Sequence, residues 1–389
     1  MPVNRRMILA SGGAAAAVTL MGGWAILANP PLSRASAPWE AAGKGLGDPR
    51  LDALSFAILA PNPHNRQPWQ FSLAGIDRID IHCDLARRLP ATDPLDRQIT
   101  IGFGCMIELL RMACAEQGYT ARIEAFPDGE GARRLDTRRI ASVWLEPVAA
   151  QKDPLFAQAL LRRSTKEAFE DRAVPQAQID RLARQVEAPC RFGATQDAEQ
   201  HRAIADNAWR AWQIEQETPA TRRESIDLMR FGNAAIIAQP DGIDMGGTYL
   251  SAAHAAGFLT PEELDRPGST AYQSGFDLYR GMVESTPRWI WLTTATDTRI
   301  DQLAAGRSWV RLNLAAQARG LAVHPWSHAL QEFPEMAGPY RELRERLAPE
   351  GGTVQMFARL GYGPKVPPSP RWPLESKLID AAPPARPTG

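Results

Sequence analysis

The sequence predicts an α+β fold made of two related lobes in one chain, and three observations predict it. From about residue 48 onward, apolar runs with helical spacing alternate with short strand-like runs, as they do in an α/β or α+β domain. Two helical stretches resemble each other. Leu110-Arg111-Met112-Ala113-Cys114-Ala115-Glu116-Gln117-Gly118-Tyr119 aligns with Leu312-Asn313-Leu314-Ala315-Ala316-Gln317-Ala318-Arg319-Gly320-Leu321 in its leucine, alanine and closing glycine, and Gly104 and Gly306 fall at the same offset. The length of 389 residues with 44% hydrophobic side chains allows two lobes or one large domain.

In chain order, residues 1–37 read as an export signal or a membrane anchor with its linker. Arg5-Arg6-Met7-Ile8-Leu9 leads into an uncharged stretch, residues 7–28, before Asn29-Pro30-Pro31 breaks it. The adjacent arginines resemble the twin-arginine motif of a pathway that exports folded proteins. That resemblance implies a protein that is periplasmic or held in the membrane facing outward. Ala35-Ser36-Ala37 fits a cleavage site but is followed by Pro38, so cleaved export and an uncleaved anchor both stand. A Pro, Ser and Gly-rich linker follows.

The first lobe is expected over 48–150. Phe103, Met106, Leu110 and Ala113 mark one face of a helix, Thr120 to Ala125 reads as a strand, and so does Ile140 to Leu145. A boundary is expected at Gln151-Lys152-Asp153-Pro154, and the second lobe over 155–380. In the second lobe Leu303, Val310, Leu314 and Ala318 mark the partner helix, and Leu321 to Val323 its strand. Gly118 and Gly320 suit the left-handed cap of each helix. Residues 205–285, rich in Trp, Met, Gly and Tyr without a clear period, form an insertion that reads as surface helices and loops or as a lid.

Composition narrows the function. Basic and acidic residues both number 44, so no net field recruits nucleic acid. Cys83, Cys105, Cys114 and Cys190 have neither zinc spacing nor disulfide density and read as small buried residues. His324 and His328 are four apart, but Pro325 interrupts any helix between them and no acidic partner matches; no metal is expected.

Four stretches carry chemistry. Leu161-Arg162-Arg163-Ser164-Thr165-Lys166-Glu167-Ala168-Phe169 offers three cations and a hydroxyl, and is expected to open a helix where an anion is favoured. About a hundred residues earlier stands Ala60-Pro61-Asn62-Pro63-His64-Asn65-Arg66-Gln67-Pro68-Trp69-Gln70-Phe71. Gly320-Leu321-Ala322-Val323-His324-Pro325-Trp326-Ser327-His328 follows the second repeated helix. The chain closes with Leu360-Gly361-Tyr362-Gly363-Pro364 and then Pro370-Arg371-Trp372-Pro373-Leu374.

In this order the four stretches resemble the signatures of the bacterial nitroreductase family, over roughly residues 50 to 375. The resemblance implies a nitroreductase-like fold in which one chain forms a pseudo-dimer, and an FMN held between lobes as the family holds it between subunits. It implies that Arg162 and Ser164 hold the phosphate beside Arg163, that Lys166 reaches the N1 and O2 edge, and that Arg371 returns to the phosphate. Asn62 and Pro63, standing in the places of two serines, would line the ring, with Asn65 and Gln67 holding their loop. The turn Pro325, Trp326, Ser327 and His328 would present a backbone N–H to flavin N5, although Ser327 and His328 replace the family's acidic residue and glycine.

The first lobe has no Arg-Arg-Ser run and the second no matching loop, so one FMN per chain is implied, with a monomer sufficient for the site. The family's logic gives hydride transfer through N5 from a donor such as NAD(P)H to a small-molecule acceptor of nitroaromatic or quinone type. The alternative is a protein that binds or sequesters flavin under its lid without turnover.

Overall fold

A computed structural model describes residues 30–131, 133–148 and 150–380. The twin-arginine-like stretch and the apolar segment 7–28 lie outside the described residues. In chain order the elements are α1 (Ser33–Ala41), α2 (Pro49–Ala57), β1 (Trp69–Ala74), β2 (Arg78–Cys83), α3 (Arg97–Glu116), β3 (Thr120–Ala125), β4 (Ala141–Glu146), α4 (Gln176–Ala183) and β5 (Arg191–Ala194). Then come α5 (Ala198–Glu217), α6 (Pro219–Asp227), β6 (Met229–Phe231), α7 (Gly232–Ala238), β7 (Ile243–Met245), α8 (Thr248–Ala255), α9 (Pro261–Asp265) and α10 (Thr270–Glu284). The chain continues with β8 (Arg288–Thr294), α11 (Arg299–Gln317), β9 (Ala322–Pro325), α12 (Ala337–Leu347) and β10 (Thr353–Gly361).

The two halves repeat one topology. The first sheet runs β1-β2-β4-β3 and the second β5-β8-β10-β9, every pairing antiparallel. In each, strand, strand, long helix, strand, strand follow in sequence. The long helices α3 and α11 cross at the centre with almost every side chain buried. Their closest approach is at the two glycines named from sequence. A Cβ on Gly104 would stand 2.2 Å from the Leu303 carbonyl oxygen, and one on Gly306 2.0 Å from that of Ile101. The clash is reciprocal because each glycine meets the carbonyl three residues before the other, as a two-fold contact requires. Gly118 and Gly320 both adopt positive φ past the helix ends.

Charged residues at the starts of these helices also exchange partners. Arg97 donates to the carbonyls of Gln355 and Leu330 in the second half, while Arg299 donates to those of Leu95, Asp96 and Arg133 in the first. The helix starts differ chemically: α11 opens on a capping box of Thr298 and Asp301, whereas the first amides of α3 are held by Asp93, which accepts from Gln98 and Ile99.

The insertion is larger than expected, filling residues 195–287 where the first half has a tight β1–β2 hairpin. Two of the ties that hold it down are built on carboxylates. Glu224 on α6 accepts from the amides of Ala91 and Thr92 at 2.9 Å each. Asp241 is bound by Arg87, Arg230 and the Trp372 indole. One core joins the α3–α11 pair to both main sheets; a second, aromatic one places Trp212 of α5 with Trp289, Trp326 and Phe357.

Two expectations are corrected. Residues 33–41 are a helix rather than a linker, with Ala35, Pro38 and Trp39 buried; the Trp39 indole donates to the Ser369 carbonyl at 2.8 Å. The run from Arg162 to Phe169 opens no helix; it is irregular chain between the turn Pro154–Gln158 and α4. The Thr165 amide donates across to Val323 of β9 at 3.0 Å, so the run lies along the sheet edge instead of coiling on itself. All four cysteines are buried and free.

Candidate functional site

Without a helix at 162–169, the pull on an anion comes from side chains. Arg162 is 3% exposed, and its Nη1 is buried without a hydrogen-bond partner. Burial, then the charge of Arg163, pushes its pKa down to about 10. Burial also lowers Arg163. Arg371 is pushed down to about 9 by burial and by Arg162 and Arg163. No carboxylate contributes to any of the three shifts. Three guanidinium groups crowded in a partly dry space, with no carboxylate among the described residues acting on them, are costly, and an anion that accepts from Arg162 Nη1 relieves both the charge and the orphaned donor. Trp39 of α1 lies alongside, with Arg163 4.6 Å and Arg371 5.3 Å from its ring.

The arginines are not equivalent. Arg371 donates through Nε to the Ile58 carbonyl, through Nη2 to those of Leu59 and Ala60, and through Nη1 to Asn65 Oδ1 and the Pro370 carbonyl. All five N–H groups are thus engaged by protein oxygens, and it caps the end of α2. As it stands Arg371 builds the wall of the cluster, and Arg162 holds the open donor. Ser164 is half-buried and Lys166 exposed at the mouth.

The loop 61–68 arrives from the first half. His64, Asn65 and Gln67 have φ of 46°, 51° and 49°, a left-handed backbone that non-glycine residues adopt at a cost. The cost is offset by a dense set of hydrogen bonds. Asn62 Oδ1 accepts from the Gln67 amide at 2.7 Å and its Nδ2 donates to Ala60. Asn65 Nδ2 donates to Pro370. Gln67, wholly buried, donates to the Pro240 carbonyl and accepts from the Trp372 amide. Asn65 and Gln67 thus tie the loop to the C-terminal stretch and to the insertion. Asn62 is spent on the same task, so its side chain is committed to the loop rather than aimed at a ligand. Asn62 and Pro63 rest on α3 at Gly102, where an added Cβ would meet Asn62 Cβ at 3.2 Å.

The turn after β9 is the third wall. Pro325 pairs with Ala358 at the strand end. The Trp326 amide donates to the Phe357 carbonyl and its indole to that of Ala208; with its ring fully buried, Trp326 anchors the turn from behind. Ser327 and His328 are half-buried and begin a short helical turn. His328 is pushed down to about 3 by burial, with His64 and Lys166 adding to it, and His64 to about 3 by burial, Lys166 and Arg66. Histidines of opposite halves thus meet with Lys166 around one cleft, both neutral, and each ring has a buried Nδ1 without a partner.

His64, Glu215 and Trp39 belong to these walls without standing out in the sequence. Glu215 lies behind His328, 3% exposed, on the buried stripe of α5 with Ile204, Ala208 and Ala211. That spacing, a carboxylate recurring on an apolar helix face, was its visible signal. His64 occupies the variable place of its motif, and Trp39 lay in what read as linker.

The fold is an α+β protein of two repeated halves, with three buried or half-buried guanidinium groups, Arg162, Arg163 and Arg371, on which no described carboxylate acts. No family profile matches the chain. It is 25% identical over 344 residues to a Mycobacterium tuberculosis H37Rv protein named "Putative NAD(P)H nitroreductase Rv3131", covering 84% of this chain and 90% of that one. It is 33% identical over 115 residues, 29% of this chain and 33% of the other, to another protein of that organism named "Putative NAD(P)H nitroreductase acg". Among solved structures it is similar to an FMN and NADPH-dependent nitroreductase NfnB of a Sphigopyxis strain, at 16% identity and a TM-score of 0.37, over 59% of this chain and 99% of that one.

Proposed function

We propose that the chain binds one FMN in the cleft between its halves and works as a nitroreductase-like oxidoreductase. One observation carries this reading: the buried, unpartnered Nη1 of Arg162 in a cluster of three guanidinium groups on which no carboxylate acts. A phosphate monoester fits that donor set. Arg162 and Arg163 would hold the phosphate with Ser164, Arg371 would brace the wall, and Lys166 would lie toward the ring. The loop of Asn62 and Pro63 would cover one face and the turn from Pro325 to His328 the other. The bound flavin would supply two-electron hydride chemistry.

The names of the relatives support NAD(P)H as the donor, and the half-buried cleft suits a small acceptor of nitroaromatic or quinone type. Protein purified without the leader is expected to be yellow with about one FMN per chain, and a colourless protein that takes up no FMN would reject the proposal. Rapid mixing with NADPH is expected to bleach the flavin.

A second reading is favoured by the two ties of the insertion, at Glu224 and Asp241, which hold a lid against the first half. In it the protein stores flavin, and the same mixing experiment would leave the yellow colour unchanged.

We also propose that the chain is exported through the twin-arginine pathway and remains anchored. The small-residue site Ala35-Ser36-Ala37 falls inside α1, whose Ala35 accepts from the Arg371 amide and whose Trp39 is buried. A peptidase needs an extended substrate, and this segment is helical and docked. No nucleic-acid partner is proposed.

A further inference from the structure

We propose that His328, backed by Glu215, delivers the proton that accompanies reduction of the acceptor in this cleft. The inference rests on the reading of the cleft as a reductase site.

The geometry is a line of three stations. Glu215 is innermost; its Oε2 accepts from Gln331 Nε2 at 2.6 Å, and its Oε1 lies 3.4 Å from Ser225 Oγ. Next stands the His328 ring, with Nε2 3.9 Å from Glu215 Oε2. Its other nitrogen, Nδ1, is buried with no protein partner, and its neighbours His64 and Lys166 belong to the other walls of the cleft. The imidazole therefore has a carboxyl group near one nitrogen and an unanswered hydrogen-bonding position at the other. The ring is held by its aromatic surroundings, with Trp326 4.9 Å and Tyr279 6.0 Å away, centre to centre, both edge-on. The 3.9 Å gap is about one ångström longer than a hydrogen bond, a separation common at such pairs before a ligand draws them together.

The protonation states suit the transfer. The groups that face Glu215 are His328 and Gln331 from the turn after β9, Ser225 and Glu224 from α6, and Lys166 from the cationic run. Burial dominates and pushes the carboxyl up to about 7, so it is protonated below neutrality and shares its proton with water near it. His328 stays neutral. A neutral imidazole that accepts the carboxyl proton at Nε2 carries its own hydrogen at Nδ1, the nitrogen without a protein partner. An imidazole so hard to protonate is a poor acid alone; with a carboxyl behind it, one proton enters as another leaves.

The step balances. Two-electron reduction of a quinone carbonyl or a nitro group by reduced flavin needs a hydride and one proton at an acceptor oxygen. The Nδ1–H bond of His328 breaks as the O–H bond on the acceptor forms. The Glu215 O–H bond breaks as Nε2 gains hydrogen. Glu215 is left as carboxylate and the imidazole as its Nε2–H tautomer; before the next turnover a proton from water adds at Nδ1 as the Nε2 hydrogen returns to Glu215, which restores both groups.

The test uses the FMN-loaded protein, with the flavin reduced by dithionite and then mixed with 1,4-benzoquinone across pH 5 to 9. The wild type is expected to reoxidise at a constant rate below about pH 7 and more slowly above it, as Glu215 loses its proton. Glu215→Gln is expected to be slower by about 10²-fold at pH 6 and to lose the pH dependence. His328→Gln is expected to be slowed alike. Infrared difference spectra of the protein without flavin supply an independent readout: a carboxyl band that titrates near neutrality and is missing from Glu215→Gln. The proposal is overturned if Glu215→Gln binds FMN and reoxidises at the wild-type rate with the wild-type pH profile, or if that carboxyl band does not exist. Failure of the wild type to bind FMN would instead overturn the reading of the cleft, and would leave the carboxyl band unaffected.

Discussion

Arg162 and Arg371 carry the same group into the same cluster and do opposite work. Removing Arg371 strips the Ile58 and Leu59 carbonyls and the Asn65 side chain of this donor and leaves Ala60 only its bond from Asn62, and an unpaired buried acceptor costs about 1–3 kcal/mol. Arg371→Ala is therefore expected to destabilise the flavin-free protein by about 3 kcal/mol in urea unfolding. Arg162→Ala removes a buried charge with an orphaned Nη1, so the flavin-free protein is expected to keep or slightly gain stability. Its FMN affinity should fall by about ten- to a hundredfold, as loss of a charge-assisted phosphate contact implies. Flavin fluorescence quenching measures the second quantity; an unchanged Kd for Arg162→Ala would show that the phosphate lies elsewhere. The motif was legible here because its residue types are chemical. The division of labour was not, because it depends on which oxygens lie within 3 Å.

At the scale of elements, the glycines of α3 and α11 show what helix propensity alone hides. Glycine inside a helix costs about 1 kcal/mol against alanine, so Gly104→Ala would stabilise an isolated helix. Here the added methyl meets a backbone carbonyl at 2.2 Å, and that of Gly306→Ala meets one at 2.0 Å. Backbone cannot swing away as a side-chain tip does, so both substitutions are expected to cost several kcal/mol, about 3 or more. Thermal unfolding checks this, and a raised Tm for either would refute the close crossing. The repeat of these helices was readable because periodicity and a terminal glycine survive in sequence. The cationic run misled because Ser-Thr-Lys-Glu after two arginines has the composition of a helix start, while the hydrogen bond of Thr165 to Val323 is non-local. For the same reason α1 read as linker: its burial is supplied by the C-terminal arm, more than three hundred residues away.

Taken as a whole, the molecule buries an acid, Glu215, behind His328, and its stability should register this. Glu215 releases its proton near 4.5 when unfolded but only near 7 when folded. Between these values the native state binds more protons, so raising the pH favours unfolding. The stability held below pH 4.5 is lost as pH climbs through about 7, by up to about 3 kcal/mol for a shift of this size. Glu215→Gln should erase that component: its stability relative to wild type is expected to rise between pH 4.5 and 8 in denaturant titrations. A constant difference across that range would mean that Glu215 ionises normally.

The overall plan, two α+β halves with an insertion in the second, was visible in the sequence, since core periodicity reports it. The extent of the insertion was not. Its first strand-to-helix joint, at residues 195–197, has no composition shift, and its anchoring through Asp241 joins Arg87, Arg230 and Trp372 from distant parts of the chain.

The reciprocal crossing of α3 and α11 is the surface that two separate subunits would use to find each other, and here a peptide linkage has already brought its two sides together. Association between free subunits weakens with dilution, and a ligand gripped from both sides is shed when they part. A tethered pair meets at an effective concentration set by the linker and not by the solution. The cleft of this chain should therefore stay assembled at any protein concentration, however scarce the molecule becomes in its compartment.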